Sequence, residues 1–219
     1  MNTSNGYDDD LGAQAPEGLT LPPWERRDRY GFLNALYLTI KDVLLVPGRV
    51  FRAMPSEVGL VQPILFAIVI GVISTFFAWM WSLASSSLQM LVAEDVGKVL
   101  RAPLGNFIMF VTSPVWIPVL LFIEAGLTHL MLMIVGGNKL GFEATFRVMA
   151  YSEATSILLL LPICGSPIAL VWSLVVTVIG LYAIHDTDPW RAVIAVALPT
   201  ILCLTSVAGL VTVLVAGMH

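Results

Sequence analysis

From Val58 to Ala93 the chain carries no charged side chain, and this run restricts what it can fold into more than any other feature. A helix of about 20 apolar residues crosses the roughly 30 Å hydrocarbon layer of a bilayer, and Leu60–Leu83 is long enough to do so. Composition agrees. Hydrophobic residues make up 58% of the 219-residue chain, charged residues 12%, and the mean hydropathy is +0.88, against about 25% charged in soluble domains. So few charges cannot cover a water-facing surface, so lipid is the expected solvent for most of the chain. The 11 basic residues form no face suited to phosphate backbones, so nucleic acid is not an expected partner.

Four further apolar segments follow the first. Pro114–Val135 contains Glu124 and His129. The stretch 148–184 is interrupted by Pro162, Gly165 and Pro167, and it divides into Val148–Leu161 and Ile168–Ile184 around a tight turn. The last runs from Ala192 to about residue 216. The expected fold is an all-α integral membrane protein, a five-span transmembrane bundle. Fourteen residues make only about 21 Å of helix, so the third span either extends back through Phe142 or belongs to a re-entrant hairpin.

Two segments precede the spans. Residues 1–22 hold Asp8, Asp9, Asp10 and Glu17 and no basic residue; they are expected to be a disordered acidic tail, without the basic start and apolar core of a signal peptide. Residues 23–55 carry Arg26, Arg27, Arg29, Lys41, Arg49 and Arg52, six of the eleven basic residues. The apolar spacing of 31–46, closed by Pro47-Gly48, predicts an amphipathic helix. It either lies in the membrane interface with its basic side towards anionic headgroups or docks on the protein's own loops. With the N-terminus in the cytoplasm, nine basic residues fall inside and two, Lys98 and Arg101, outside. The excess of positive charge on cytoplasmic loops therefore predicts N-in and, for five spans, C-out.

Ionisable groups within a bilayer are costly and mark candidate sites. Glu124 falls near the midplane of the second span. His129, Glu153 and His185, with Asp186 beside the last, are expected to share the cytoplasmic half of the membrane. Such a cluster suits a divalent metal or a proton relay; equally, polar groups of this kind fix helix packing through hydrogen bonds. No metalloprotease, nucleophile-elbow or phosphate-loop motif is present, so neither enzymatic activity nor an obligatory cofactor is expected. Small residues recur at Ala67, Gly71 and Thr75, with an offset row at Ser74, Ala78 and Ser82, predicting a close helix contact inside the bundle or at a dimer face. Gly136-Gly137 reads as a helix C-cap. Cys164 and Cys203 lie at different depths and are expected to be free thiols.

The runs AGLTHLMLMIVGGNKLGFEATFRVMAY (125–151) and LLLLPICGSPIALVWSLVVTVIGLYAIHDTDPWRAVIAVALP (158–199), with PPWERRDRYGFLNALYLTIKDVLLVPGRVFRAMP (22–55) before them, resemble the Yip domain family in its prokaryotic form. The resemblance covers roughly 22–215. It implies a five-span bundle with a cytoplasmic N-terminus, in a bacterial cytoplasmic membrane. The positions matching its pattern are His129, Gly136, Gly137, Phe142, Tyr151, Pro162, Gly165, Gly180, His185 and Pro199. Eukaryotic relatives bind Rab-type GTPases in vesicle transport, but their DLYGP signature is replaced here by Gly59-Leu60-Val61-Gln62-Pro63. Two roles follow as expectations. One is a non-enzymatic organiser of membranes or partner proteins, homo-oligomers included. The other is a small transporter of protons or a divalent metal.

Overall fold

The computed structural model describes residues 19–91 and 95–216. The expectation for the acidic tail falls outside them as far as residue 18, as does the side chain of Cys203; Cys164 is an exposed free thiol. All described elements are helical. A 3-10 turn, Pro23–Arg26, and a single helical turn, α1 (Arg27–Tyr30), lead into α2 (Phe32–Leu45) and α3 (Pro47–Ala53). The long helices α4 (Val61–Gln89) and α5 (Val96–Ile134) form a hairpin. Then come α6 (Phe142–Ser152), running straight into a 3-10 segment Glu153–Leu160, and finally α7 (Gly165–Ile184) and α8 (Pro189–Ala216).

Three of these helices are long and apolar enough to cross a membrane: Val61–Gln89, Val99–Ile134 and Gly165–Ile184. Their outer faces require lipid. Along α5 alone, Ile108, Val111, Val115, Ile123 and Met133 are each more than half exposed, an apolar surface that water would not tolerate. The protein is an integral membrane protein of helical type.

Two of the expected boundaries are corrected. The second apolar helix starts at Val96, not at Pro114, so Lys98 and Arg101 sit in its first turns rather than in a loop. Pro103, Pro114 and Pro118 all lie inside α5. Each proline deprives the carbonyl four residues earlier of its donor, and serines supply two of the three missing bonds. Ser113 Oγ donates to Phe110 O at 2.7 Å, and Ser86 Oγ of α4 donates to Val99 O at 3.4 Å. Such repair is what lets proline persist in membrane helices.

The third apolar helix starts at Phe142 instead of Val148. With the 3-10 segment it forms 19 helical residues, about 32 Å long at the respective rises. Pro162 accounts for the tightening at its end. It offers no N–H to Leu158 or Leu159, so Leu161 N bonds back to Leu158 O and Trp81 Nε1 reaches Leu159 O at 3.2 Å. Ser74 Oγ similarly donates to Ser156 O at 2.9 Å.

The residues expected to form a juxtamembrane region share one core with the spans. Trp24, Val43 and Phe51 are fully buried together with Phe66, Tyr151, Val176 and Leu181. A smaller core joins α4, α5 and α6 through Ala67, Leu121, Phe146 and Ala150. The small-residue row points inward as one of its two readings requires. Ala67 and Gly71 are buried, and a Cβ on Gly71 would run into Ile117 of α5; Thr75, half-buried, returns its hydroxyl to Gly71 O. Gly180 has a comparable role, since a Cβ there would lie 2.6 Å from Val148 Cγ1 and 2.9 Å from Phe51 Cδ2.

Candidate functional site

Two of the expected site residues come together through a third. His129 Nδ1 lies 2.9 Å from Thr145 Oγ1, and Thr145 Oγ1 lies 3.0 Å from His185 Nε2. The Leu140 N–H points at His185 Nδ1 at 3.2 Å, which settles the proton positions. His185 accepts at Nδ1, so Nε2 carries its proton and donates to the Thr145 hydroxyl; that hydroxyl in turn donates to His129 Nδ1. His185 is fully buried. Burial, with a smaller contribution from the neighbouring His129, pushes it down to about 4, in keeping with the neutral tautomer. Phe142 packs edge-on against the His129 ring at 5.6 Å.

Helix geometry explains the meeting. Gly136, at φ +68, ends α5 with the paired bonds of a Schellman cap, Gly137 N to Leu132 O and Gly136 N to Met133 O. The chain then returns as α6 with Thr145 facing His129. Asp186 ends α7 in the same way, at φ 44 with Thr187 N bonded to Tyr182 O. It is therefore a capping residue whose side chain is exposed and pairs with Lys139 at 3.5 Å. Arg191 donates to Gly136 O and pairs with Asp188 at 3.1 Å, tying the two inter-helix loops to each other.

Glu153 does not join this group. Because α6 begins at Phe142, Glu153 lies eleven residues into the helical stretch, about 16 Å deep, and about 12 Å along the axis from Thr145. It accepts a bond from Ser156 Oγ at 3.1 Å. Glu124, exposed on α5, is ten residues from the end of that helix, a similar distance along the bundle. Among the described residues, no three His, Cys, Asp or Glu side chains are grouped as a metal would require.

A second polar centre was missed by sequence reasoning. Arg147, counted there as a loop residue, lies inside α6 and is fully buried. It pairs with Glu25 at 2.5 Å and donates to Gly59 O at 3.0 Å. Tyr151 Oη donates to the same Glu25 oxygen at 2.5 Å. Around them, Trp24 Nε1 donates to Gln62 O, Arg27 donates to Gln62 Oε1 at 2.6 Å, and the Arg27 guanidinium stacks 4.3 Å above the Trp24 ring. Glu143 accepts from the Val58 and Gly59 backbone. Of the six basic residues expected to face headgroups, Arg27 thus turns inward, Arg26 rests against Tyr30, and Arg29, Lys41, Arg49 and Arg52 are exposed. The available signal was an acid, Glu25, set between Trp24 and Arg26, together with an arginine five residues inside a helix.

Helices α4 to α7, most of α8, the Schellman-capped loops and the His129–Thr145–His185 chain lie within residues 41–210, which match a family model described as the Yip1 domain. The chain belongs to the Yip1 domain family. No curated protein and no solved structure gives a match. Glu25, which neutralises Arg147 of the Yip1 domain, lies before the matched residues, so this chain completes a buried ion pair of the domain from outside it.

Proposed function

We propose that this Yip1 domain protein is a five-span, non-enzymatic organiser of membranes or partner proteins, of the prokaryotic branch and resident in a bacterial cytoplasmic membrane. Its N-terminus faces the cytoplasm and its C-terminus the outside, and it works without a cofactor. One observation carries the reading. Apart from Glu124, which is exposed on α5, the ionisable groups of the expected site and of the Arg147 centre are engaged: His129 with His185 through Thr145, Glu153 with Ser156, and Arg147 with Glu25 and the Gly59 carbonyl. Polar groups so satisfied fix helix packing. Five spans are supported by the three long apolar helices, by the 32 Å length of 142–160 and by α8. For α2, the buried face Ala35, Leu36, Thr39 and Val43, with Lys41, Leu33 and Tyr37 exposed, suits a helix at the boundary between core, lipid and headgroups.

A second reading, a small transporter of protons or a divalent metal, draws support from two carboxylates, Glu124 and Glu153, carried within apolar helices. Purified protein in liposomes separates the two. The organiser reading expects no proton or zinc flux above empty vesicles; flux abolished by both Glu153→Gln and His129→Ala would replace it with the transporter. Reporters fused before Met1 and after His219 are expected on opposite sides, and the same side would remove the five-span topology.

A further inference from the structure

At the end of the bundle that carries His185, α3 and the last turn of α7 border an open cleft of about 490 Å³, lined by Gly48, Arg49, Arg52, Ala53 and Tyr182. Gly48 makes the room. A Cβ there would already lie 3.5 Å from Ile179 Cγ2 and 4.0 Å from Tyr182 Oη, which places the phenol hydroxyl over the start of α3. Three other arginines are engaged: Arg147 with Glu25, Arg27 with Gln62, Arg191 with Asp188. Arg49 and Arg52 have no ion-pair or hydrogen-bond partner among the described residues, and neither has the Tyr182 hydroxyl. Asp42 borders an adjoining hollow together with Arg49 but forms no ion pair with it. Two unneutralised guanidinium groups three residues apart repel each other, and an anion held between them relieves that repulsion. Planar guanidinium forks match the oxygens of a phosphate better than a point charge does.

We propose that the cleft between α3 and the C-terminal turn of α7 binds a phosphate group, clamped by Arg49 and Arg52 with the Tyr182 hydroxyl as third donor. The phosphate can be carried by an anionic phospholipid headgroup or by a free phosphate compound. The neighbourhood favours the lipid. Trp172, Val175, Ile179 and Tyr182 fall on one stripe of α7, and Trp172 and Val175 are exposed, so an acyl chain has an apolar track leading away from the cleft. The inference rests on the membrane reading above only for this choice of source. The cleft and its three donors do not depend on topology, and reversed reporter fusions would leave the binding measurement unchanged.

The full chain, purified in uncharged detergent micelles, is titrated with short-chain phosphatidylglycerol, short-chain diacylglycerol and inorganic phosphate, with binding read by tryptophan fluorescence and by the thermal midpoint. Saturable binding of phosphatidylglycerol but not of diacylglycerol is expected. Arg49→Gln and Arg52→Gln should each weaken it about fivefold and the pair about twentyfold, from roughly 1 kcal/mol per basic group near an anionic headgroup. Tyr182→Phe should weaken it a few-fold. The control Lys98→Gln/Arg101→Gln, which removes the same charge at the start of α5, at the opposite end of the bundle from the cleft, should change it less than about twofold. Inorganic phosphate binding as tightly as the lipid, and lost in the same variants, upholds the site and assigns its source to free phosphate. Diacylglycerol binding equally well, no saturable binding of either anion, or an equal loss in the control pair would overturn the proposal.

Discussion

The Glu25–Arg147 pair offers the sharpest test of how the N-terminal segment is held. Arg147 has no exposed side-chain surface, and Glu25 retains 6%. The guanidinium has two acceptors, Glu25 and Gly59 O, while its Nε has none. Glu25→Ala therefore leaves a buried cation with a single carbonyl, an arrangement that costs about 3–5 kcal/mol. For a chain of this length that corresponds to a fall in thermal midpoint of roughly 10 °C. Glu25→Gln keeps an acceptor for Arg147 and Tyr151 and should cost less. In the double variant Glu25→Gln/Arg147→Met no charge is buried, so much of the loss should return. Thermal unfolding in detergent measures the cycle, and trypsin reports the latch directly, because Glu25→Ala should speed cleavage after Arg29 while the double variant should not. The reasoning fails if Glu25→Ala stays within about 1 kcal/mol of the parent, or if the double variant is no better than Glu25→Ala.

Three other outcomes follow from the same geometry. The neutral His185 favours folding fully above its ordinary value of 6.5, and that contribution fades as pH falls towards about 4; the slope approaches about 1.4 kcal/mol per pH unit in between, and His185→Gln should flatten a pH-stability profile over that window. Thr145→Val keeps the shape but strips two imidazole nitrogens of their shared hydroxyl, so a loss of about 1–3 kcal/mol is expected, with Thr145→Ser near parent; equal stability of Val and Ser variants in chemical denaturation would contradict the hydrogen-bonded chain. Gly180→Ala presses a methyl onto Val148 and Phe51 and should cost about 1–3 kcal/mol, against a small effect for Gly126→Ala, where a Cβ meets nothing within 4 Å.

Much of the helical layout was legible because lipid selects for length and polarity alone. The first apolar helix and the cap at Gly136-Gly137 were anticipated, while His129 and His185 were expected only to share one half of the membrane, with Glu153 beside them. The start of the second helix was misjudged at Pro114, which lies inside α5, where Ser113 supplies a donor to Phe110 O, and Lys98 and Arg101 enter that helix with it. A separate misjudgement lay at the third helix. Starting it at Val148 put Glu153 in the cytoplasmic half, whereas its start at Phe142 carries Glu153 down towards Glu124 and draws Arg147 inside the helix.

Solvent preference is a sum over residues, so it is written in composition and in the spacing of charges. That is why the amino-acid order alone determined that this chain lives in a membrane as helices, and the same order matches the Yip1 domain over 41–210. Pairing is different in kind, because it depends on which faces meet. Glu25 is 122 positions from Arg147 and Thr145 is 40 from His185, and no local pattern encodes such distances. Only the packed bundle decided that one arginine would be neutralised by the N-terminal segment, while two others, on α3, would have no partner among the described residues.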